Sequence, residues 1–296
     1  MFSVFLQFLF SGLTTGAVYA LVGLGFNIVY NSTSIINLAQ GEFVVIGGLM
    51  MWYFFESVKI PFFFSIVLTI AVSGAIGLVM ERLTIRPLLK KADLLLMIMV
   101  TIAVSILLRG LLMFKFGKEP YGYPSFTEGA PLIIYGAVIQ QQTLWVIGIT
   151  GFCIVMLYIF FNKTMLGKAM RACSVDPKAA RLVGISVSKI VMLSFVISAV
   201  VGAIGGIAIT PISLMEYDKG PMLAVKGFCA SIMGGLGRGR GAVIGGFTLG
   251  ILESLTAGYI HSGLKDAVAL VVMLFILFLR PSGIFGSSQI ARLRKF

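Results

Sequence analysis

Two carboxylates stand in stretches of the sequence that are otherwise strongly apolar. Glu42 lies near the start of the apolar run 38–56, and Glu253 lies in the middle of the run 241–258. An isolated charge in such a setting is costly, so each acid is expected either to line a polar pathway or to be held by structural hydrogen bonds. The polar residues that neighbour Glu42 in the sequence share these two alternatives, and they are Asn27, Asn37 and Gln40.

The sequence offers little for catalysis or for a bound cofactor. Its single histidine, His261, lies in a short loop, which argues against a histidine-based metal site, and neither an HExxH nor a GxSxG motif occurs. The glycine-rich stretch 234–246 lacks the GK[ST] ending of a phosphate-binding loop. We therefore expect no enzyme activity, no metal and no cofactor in this chain, and any ATP that drives its function must bind to another chain.

The composition is that of a membrane protein. Of the 296 residues 58% are hydrophobic and only 11% are charged, and the mean hydropathy is +1.04. A soluble domain is nearer half apolar and a quarter charged. No charge precedes Glu42, and the first apolar run, 2–30, is too long for the core of a signal peptide, so we interpret it as an uncleaved span.

Nine apolar runs predict an all-α bundle of about eight or nine transmembrane helices, organised as a single transmembrane domain over residues 1–296. The runs are 3–30, 38–56, 62–81, 94–114, 143–161, 190–210, 222–237, 241–258 and 266–280. About 20 residues are needed to cross the hydrocarbon core. The second and seventh runs are short or rich in glycine, which favours broken or re-entrant helices buried in protein.

Lysine and arginine predict how the chain is oriented. Sixteen of the 23 basic residues fall in four segments, which are 82–93, 162–189, the turn with Arg238 and Arg240, and the tail from Arg280. With nine spans these segments share one side, which the positive-inside rule assigns to the cytoplasm, so the net charge of +12 marks orientation rather than nucleic-acid binding. The N-terminus and the loops 115–142, 211–226 and 259–265 are then outside, and the C-terminus is cytoplasmic.

A short similarity suggests an internal repeat. The pentapeptide IGGLM at 46–50 is similar to MGGLG at 233–237, and each follows a span in which small residues recur four positions apart. In the predicted topology the two copies run in opposite directions, as inverted repeats do. Ordinary close packing of helices through glycine is the simpler explanation for most of these small residues.

The charged segment 162–189 has a regular local pattern. It holds six basic residues and one acid. Asp176 followed by Pro177 is a typical helix start, and Gly184 is a typical helix stop, so KAARLVG predicts a helix of about two turns. Such a helix is not stable alone in water and needs a surface to pack against. That surface is either a socket on a cytoplasmic partner protein or the level of the lipid headgroups.

Three separated stretches carry a resemblance to a known family. They are YALVGLGFNIVYNSTSIINLAQGEFVVIGG, GKAMRACSVDPKAARLVGISVSKI and FCASIMGGLGRGRGAVIGGFTLGILES. Together they resemble the LivH type of branched-chain amino acid permease over about residues 8–285. KAARLVG also matches the EAA-xxx-G pattern of bacterial ABC-transporter permeases, with Lys178 where the acid usually stands. A second departure is Gln40, where the family pattern leads us to expect histidine.

The resemblance implies an importer subunit of a bacterial inner membrane. It implies a second, similar permease, two cytoplasmic ATPases and an extracytoplasmic solute-binding protein as partners, with alternating access as the mechanism. It assigns 162–189 to the segment that docks onto the ATPases. The residues expected to form or shape that contact are Gly167, Arg171, Asp176, Ala179, Ala180, Leu182 and Gly184.

Other functions remain open from the sequence. One is a stand-alone carrier or channel; two deep acids without a buried lysine partner favour an energy source outside this chain. Another is a permease of the same family for urea or amides, and a third is a structural membrane protein without transport.

Overall fold

The computed structural model describes residues 2–88, 93–127, 129–280 and 283–284, and its regular structure is almost entirely helical. The long helices are α1 (Phe2–Thr33), α3 (Phe62–Met80), α5 (Leu94–Phe116), α6 (Gln141–Lys163), α9 (Val187–Ile209), α11 (Gly239–Tyr259) and α12 (Lys265–Leu279). The shorter helices are α2 (Gln40–Trp52), α4 (Arg86–Leu88), α7 (Met165–Val175), α8 (Pro177–Leu182) and α10 (Gly220–Gly234). Turns of π-helix extend α2 over Tyr53–Ser57 and join α3 to α4 over Glu81–Ile85, and β1 (Leu132–Ile134) pairs with β2 (Ala137–Ile139) in a hairpin.

The apolar runs divide into seven long helical stretches and two short helices. Within the described residues seven stretches are long and apolar enough to cross a membrane. The second and seventh runs form α2, with 13 residues, and α10, with 15, and both are largely buried among other helices. The predicted helical membrane bundle is thus confirmed, while the count of eight or nine crossings stays a prediction because it depends on how far α2 and α10 reach.

Helix α1 lies at the centre of the bundle, against α11, α9 and α10. Glycine makes these contacts close: a Cβ added to Gly16 would lie 2.9 Å from the carbonyl oxygen of Gly246 on α11. Lipid gives apolar helices no hydrophobic drive toward each other, so association rests on such close packing of backbones. The small residues spaced four apart in α1 therefore hold the core of the bundle together.

The two short helices run in opposite directions. Helix α2 is parallel to α9, since its contacts advance from Phe43 beside Gly202 to Gly48 beside Thr210. Helix α10 is parallel to α1. Helix α1 is antiparallel to α9, because Gly25 contacts Ser198 and Leu21 contacts Gly205. The pair α1–α2 and the pair α9–α10 are therefore oppositely directed, which supports the inverted repeat predicted from IGGLM and MGGLG.

The N-termini of α2 and α10 meet inside the bundle. Gly41, in the first turn of α2, packs directly on Gly220, the first residue of α10, and the carboxylate of Glu42 touches the same glycine. A side chain at either glycine would collide with this junction. The absence of a Cβ at both positions lets the two helix ends approach.

One end of the bundle carries loops that the sequence assigns to the outside. The β1–β2 hairpin lies beside the start of α1, where the ring centroids of Phe2 and Tyr135 are 6.2 Å apart. Reciprocal backbone hydrogen bonds of 2.9 and 2.7 Å join Tyr121 to Met215 and tie the segment after α5 to the loop before α10. The N-terminus and these two loops share one end, as predicted.

The described parts of the basic segments gather at the opposite end. Near the end of α1, Asn31 donates a hydrogen bond of 3.0 Å to the carbonyl of Gly237 in the turn before α11. The backbone N–H of Ile284 donates to Met233 O at 2.8 Å, and α7 packs against α1 and α6. Lys90, Lys91 and the basic residues after 284 lie outside the described residues. The common end is shown, and its assignment to the cytoplasm stays a prediction.

Candidate functional site

The segment between α6 and α9 folds as its sequence predicts. Asp176 Oδ1 accepts hydrogen bonds from the backbone N–H groups of Lys178 at 2.7 Å and Ala179 at 3.1 Å, so it is the N-cap of α8. Pro177 is the first helical residue, and Gly184 follows the helix with a φ of 85°, a conformation that favours glycine. The local prediction of a capped two-turn element is confirmed.

The apolar face of this element is turned away from the rest of the chain. Leu182 is 89% exposed, Val183 is 76% exposed, and Val175, just before the cap, is 87% exposed. Ala179 is exposed as well. Large aliphatic side chains held so openly on a charged loop form an apolar surface that suits either of the two contacts expected from the sequence, a partner protein or the lipid headgroups.

Ala180 is the exception, and its predicted place in a partner's socket is wrong. It is 3% exposed and packs in a cluster with Met170 and Ile190 of its own chain. The reason is the helical period, because one face of a two-turn helix must pack against the bundle to hold the helix in place. Ala180 is also held through its backbone, since its carbonyl accepts a hydrogen bond of 3.0 Å from the N–H of Ile185.

Gly167 and Arg171 shape the connection from α6 to α7. Thr164 is the N-cap of α7 and accepts a 3.0 Å hydrogen bond from the N–H of Gly167. Gly167 packs so closely on the carbonyl of Phe160 that a Cβ atom at this position has no room. The Arg171 Nη1 donates to Asn162 Oδ1 at 3.0 Å. Arg171 thus pairs with the end of α6, and the capping by Asp176 is independent of it.

A cleft of about 630 Å³ opens beside this connection, between α1, α6 and α11. Its apolar floor includes Leu24 and Ile154, and its polar rim includes Asn27, Arg171 and Arg240. Asn27 holds the turn before α11, since its Oδ1 accepts from the N–H of Gly237 at 2.9 Å. One predicted pathway residue and one predicted coupling residue are therefore brought to the same cleft, at the basic end of the bundle.

Gln40 and Asn37 have structural hydrogen bonds at the start of α2. The Gln40 Nε2 donates to the carbonyl of Ser198 at 3.0 Å, and Ser198 Oγ donates back to Gln40 Oε1, so this fully buried side chain binds α2 to α9. Asn37 Oδ1 accepts from the N–H of Ala39 at 3.2 Å and supports the turn before α2. Structural hydrogen bonding is the arrangement seen for Gln40.

Glu42 is fully buried at the junction of α2 and α10. Its Oε1 accepts a 2.7 Å hydrogen bond from Ser105 Oγ on α5. Its Oε2 has no hydrogen-bond partner among the described residues, although it lies against Gly220. Arg109, one turn beyond Ser105, is near enough to interact with this carboxylate electrostatically. Among the five predicted pathway residues, Glu42 and Asn37 each keep one buried polar atom without a hydrogen-bond partner among the described residues, the second being Asn37 Nδ2.

Glu253 is part of a buried ion-pair cluster that connects four helices. Lys226 Nζ on α10 lies 2.6 Å from Glu253 Oε1 on α11 and 2.7 Å from Asp266 Oδ1 on α12. Tyr19 on α1 donates a 2.8 Å hydrogen bond to Glu253 Oε2. Lys226 is 5% exposed and Glu253 is 7% exposed. These groups satisfy one another, so the acid is not isolated, and whether it also lines a pathway stays a prediction.

This cluster corrects the expectation that the chain has no buried lysine partner. Lys226 falls where the sequence puts the edge of the outer loop 211–226, but α10 already begins at Gly220, so the lysine belongs to the second turn of a buried helix. The signal available in the sequence was its position in an apolar run with acids in the two following runs. A third buried acid, Glu81, was also missed; it is fully buried beside the basic segment 82–88.

No group of three or more His, Cys, Asp or Glu side chains that could hold a metal ion is found among the described residues. The expectation that the chain binds no cofactor stays a prediction.

Comparisons with known proteins agree on one family. A family model described as "Branched-chain amino acid transport system / permease component" matches residues 8–277. The permease protein LivH of the high-affinity branched-chain amino acid transport system of Escherichia coli (strain K12) is 30% identical over 313 residues, with 98% of each chain covered. The corresponding BraD protein of Pseudomonas aeruginosa is 30% identical, with 97% of this chain and 98% of BraD covered.

A solved structure supports the fold independently. PsaBC from Streptococcus pneumoniae, in complex with Fab, contains a chain that superposes with a TM-score of 0.50 and 16% sequence identity. The match covers 95% of this chain and 97% of that chain. At this identity the likeness concerns the arrangement of helices alone.

Proposed function

Since the chain belongs to the family of permease components of branched-chain amino acid transport systems, we propose that it carries branched-chain or related hydrophobic amino acids across the bacterial inner membrane by alternating access. It is a multi-pass membrane protein and the permease subunit of an ABC importer, not an enzyme.

The observation that carries the coupling role is the exposed aliphatic face formed by Val175, Leu182 and Val183. We call these three residues the coupling face. They stand on an element whose geometry is fixed by the Asp176 cap and by Gly184, at the end of the bundle where the basic segments gather. A rigid, capped helix with exposed apolar side chains suits insertion into a groove of an ATPase subunit. Movement of that subunit on ATP binding then moves α7 and α8, and through them α6 and α9.

The remaining partners follow from this arrangement. One permease chain offers one coupling element, so an ATPase pair is served by two permeases, this chain and a second of similar type. A solute-binding protein meets the end that carries the β1–β2 hairpin, which we place outside the cell. The basic end is cytoplasmic, because Lys and Arg are retained on that side. We propose that the chain itself binds no cofactor and no nucleic acid.

Co-purification tests the coupling role. The tagged chain is expressed with its partner subunits, extracted gently and analysed by mass spectrometry, and two ATPases and a second permease are expected with it. Leu182→Asp puts a charge into the centre of the coupling face and should release the ATPases. Ser186→Asp is the matched control, since it adds the same charge nearby on an exposed N-cap position of α9, where aspartate is favourable.

Transport provides the second readout. In proteoliposomes with the loaded binding protein, ATP-driven uptake of labelled leucine is expected from the wild-type complex and from the Ser186→Asp complex. Retention of the ATPases by Leu182→Asp would contradict the assignment of the coupling face. Uptake by the purified chain alone would favour a stand-alone carrier, and uptake of urea in place of leucine would move the chain to the amide branch of the family.

A further inference from the structure

The cleft between α1, α6 and α11, with a volume of about 630 Å³, changes from polar to apolar along its length. The change runs in the same direction on all three helices. The lining residues nearest the basic end are Asn31, Asn162 and Arg240, and those deepest in the bundle are Leu24, Ile154 and Val243. A molecule that fills this cleft therefore needs a polar head at the basic end and an apolar tail.

The depth of the cleft is close to that of one lipid leaflet. Ile154 and Asn162 are eight positions apart on α6, which corresponds to about 12 Å along a helix. Half of a hydrocarbon core of about 30 Å is about 15 Å. The α6 side chains Phe152, Val155 and Met156 are apolar and exposed, so the cleft opens on a surface that suits lipid.

Two arginines from different helices converge on the polar end. Arg171 of α7 donates a hydrogen bond of 3.0 Å from Nη1 to Asn162 Oδ1. The guanidinium carbon of Arg240, in the first turn of α11, lies 5.3 Å from the ring centroid of Tyr158. Tyr158 and Asn162 are one helical turn apart, a spacing that places their Cβ atoms about 6 Å apart on one face of α6. The two guanidinium groups are therefore held over neighbouring turns of the same helix.

The positive charge of this end has no acidic partner in the part of the chain that the structure describes. None of the described residues that line the cleft is Asp or Glu, and none of the described ion pairs includes Arg171 or Arg240. Both side chains are exposed, so a ligand can reach them. Guanidinium groups bind phosphate oxygens with two parallel hydrogen bonds, and Gly239 adds the positive end of α11 to the same rim.

We propose that the cleft binds one anionic phospholipid from the leaflet at the basic end of the bundle. The phosphate lies between Arg171 and Arg240, and an acyl chain packs along the apolar wall that α1, α6 and α11 form. Basic pockets between transmembrane helices recognise anionic headgroups in this way. A soluble anion leaves the apolar wall uncovered, and a zwitterionic lipid brings an ammonium group that no acid in the described lining meets.

The bound lipid connects the coupling segment to the bundle. Helix α7 carries Arg171 and ends at Val175, which belongs to the coupling face. A phosphate shared by Arg171 and Arg240 joins α7 to α11, in addition to the packing of α7 on α1 and α6. The inference depends neither on which solute is transported nor on which side of the membrane the basic end faces.

Native mass spectrometry of the full chain tests the site. The protein is stripped of lipid by detergent exchange and titrated with phosphatidylglycerol, and the affinity for the first lipid molecule is measured. Arg171→Gln combined with Arg240→Gln is expected to weaken this binding roughly thirtyfold, the loss of two basic contacts to an anionic headgroup. Lys163→Gln combined with Lys168→Gln is the matched control and should bind like wild type, because it removes two charges from exposed lysines of α6 and α7 that do not line the cleft.

Lipid analogues identify the ligand. Phosphatidylcholine should bind wild type no more tightly than phosphatidylglycerol binds the glutamine double variant. Glycerol 3-phosphate, which has the anionic group without the chains, should not displace phosphatidylglycerol. Arg171→Lys combined with Arg240→Lys keeps both charges and should bind more tightly than the glutamine double variant, which separates loss of charge from loss of folding. Equal phosphatidylglycerol binding by wild type and the glutamine double variant, equally tight binding of phosphatidylcholine by wild type, or displacement by glycerol 3-phosphate would each overturn the site.

Discussion

Replacing Lys226 by methionine should strongly destabilise the protein. Methionine keeps the length of the side chain but removes the charge that lies 2.6 Å from Glu253 and 2.7 Å from Asp266. The Glu253 carboxylate, which is 7% exposed, is left without its cation in a largely buried position. Breaking a buried ion pair by removing one partner costs about 3–5 kcal/mol, because the other charge stays buried and unpaired.

A double-mutant cycle isolates the interaction. Glu253→Gln on top of Lys226→Met removes the orphaned charge while the amide can still accept from Tyr19, so the double variant should be more stable than the single Lys226→Met. Asp266→Asn alone should cost only about 0–1 kcal/mol, since its side chain is 40% exposed.

Thermal unfolding in mild detergent measures these differences. For a chain of this size, 3–5 kcal/mol corresponds to a fall in melting temperature on the order of 10 °C. Lys226→Met melting together with wild type, or no rescue by Glu253→Gln, would refute the argument that this cluster locks α1, α10, α11 and α12 together.

Four further outcomes are expected. Asp176→Ala removes the cap of α8 and about 1 kcal/mol of local stability, so faster hydrogen exchange over residues 178–183 is expected, whereas Asp176→Asn should exchange like wild type. Gly184→Val forces a β-branched residue to a φ of 85°, at a cost of about 1–2 kcal/mol, and should lower the leucine transported per ATP hydrolysed; unchanged coupling would show that this turn is not transmitted to the bundle. Gly16→Ala collides with α11 and should lower the melting temperature, whereas Gly148→Ala, with nothing within 4 Å of the new methyl group, should leave it equal or higher. Burial raises the pKa of the Cys173 thiol, so less thiolate is present near neutral pH; maleimide labelling should be slower than for a free cysteine at pH 7 and should accelerate as the pH rises, and fast labelling at pH 7 would contradict that burial.

Local features were predictable from the sequence because their causes are local. Asp176, Pro177 and Gly184 each act within one helical turn, and the structure shows each of them in the expected role. The membrane bundle and its two shorter helices follow from the length and hydropathy of the runs, which need no knowledge of tertiary contacts. The family pattern added the importer interpretation, and the comparisons confirm the family.

Features that depend on contacts between distant segments were missed. Lys226 meets its acids 27 and 40 positions along the chain, and only the packing of α10, α11 and α12 brings them together. The inward position of Ala180 has a similar cause, because the period of a two-turn helix defines its faces but not which face meets the bundle. The hydrogen bonds of Gln40 could not be predicted either, because Ser198, on a separate helix, is the partner of both ends of its amide.

The meeting of the α2 and α10 N-termini has a consequence for the membrane potential. Each helix start carries about half a positive elementary charge, so the two together place about one positive charge beside the Glu42 carboxyl group. With Arg109 included, the surroundings of the junction keep an excess of positive charge. A zwitterion has no net charge and is not repelled by this positive charge. Sodium ions and hydronium are repelled by it, in the way that the positive ends of half-helices exclude cations from other pores. A leak of cations would dissipate about 2.3 kcal/mol per charge for every 100 mV, and the positive charge at this junction opposes such a leak.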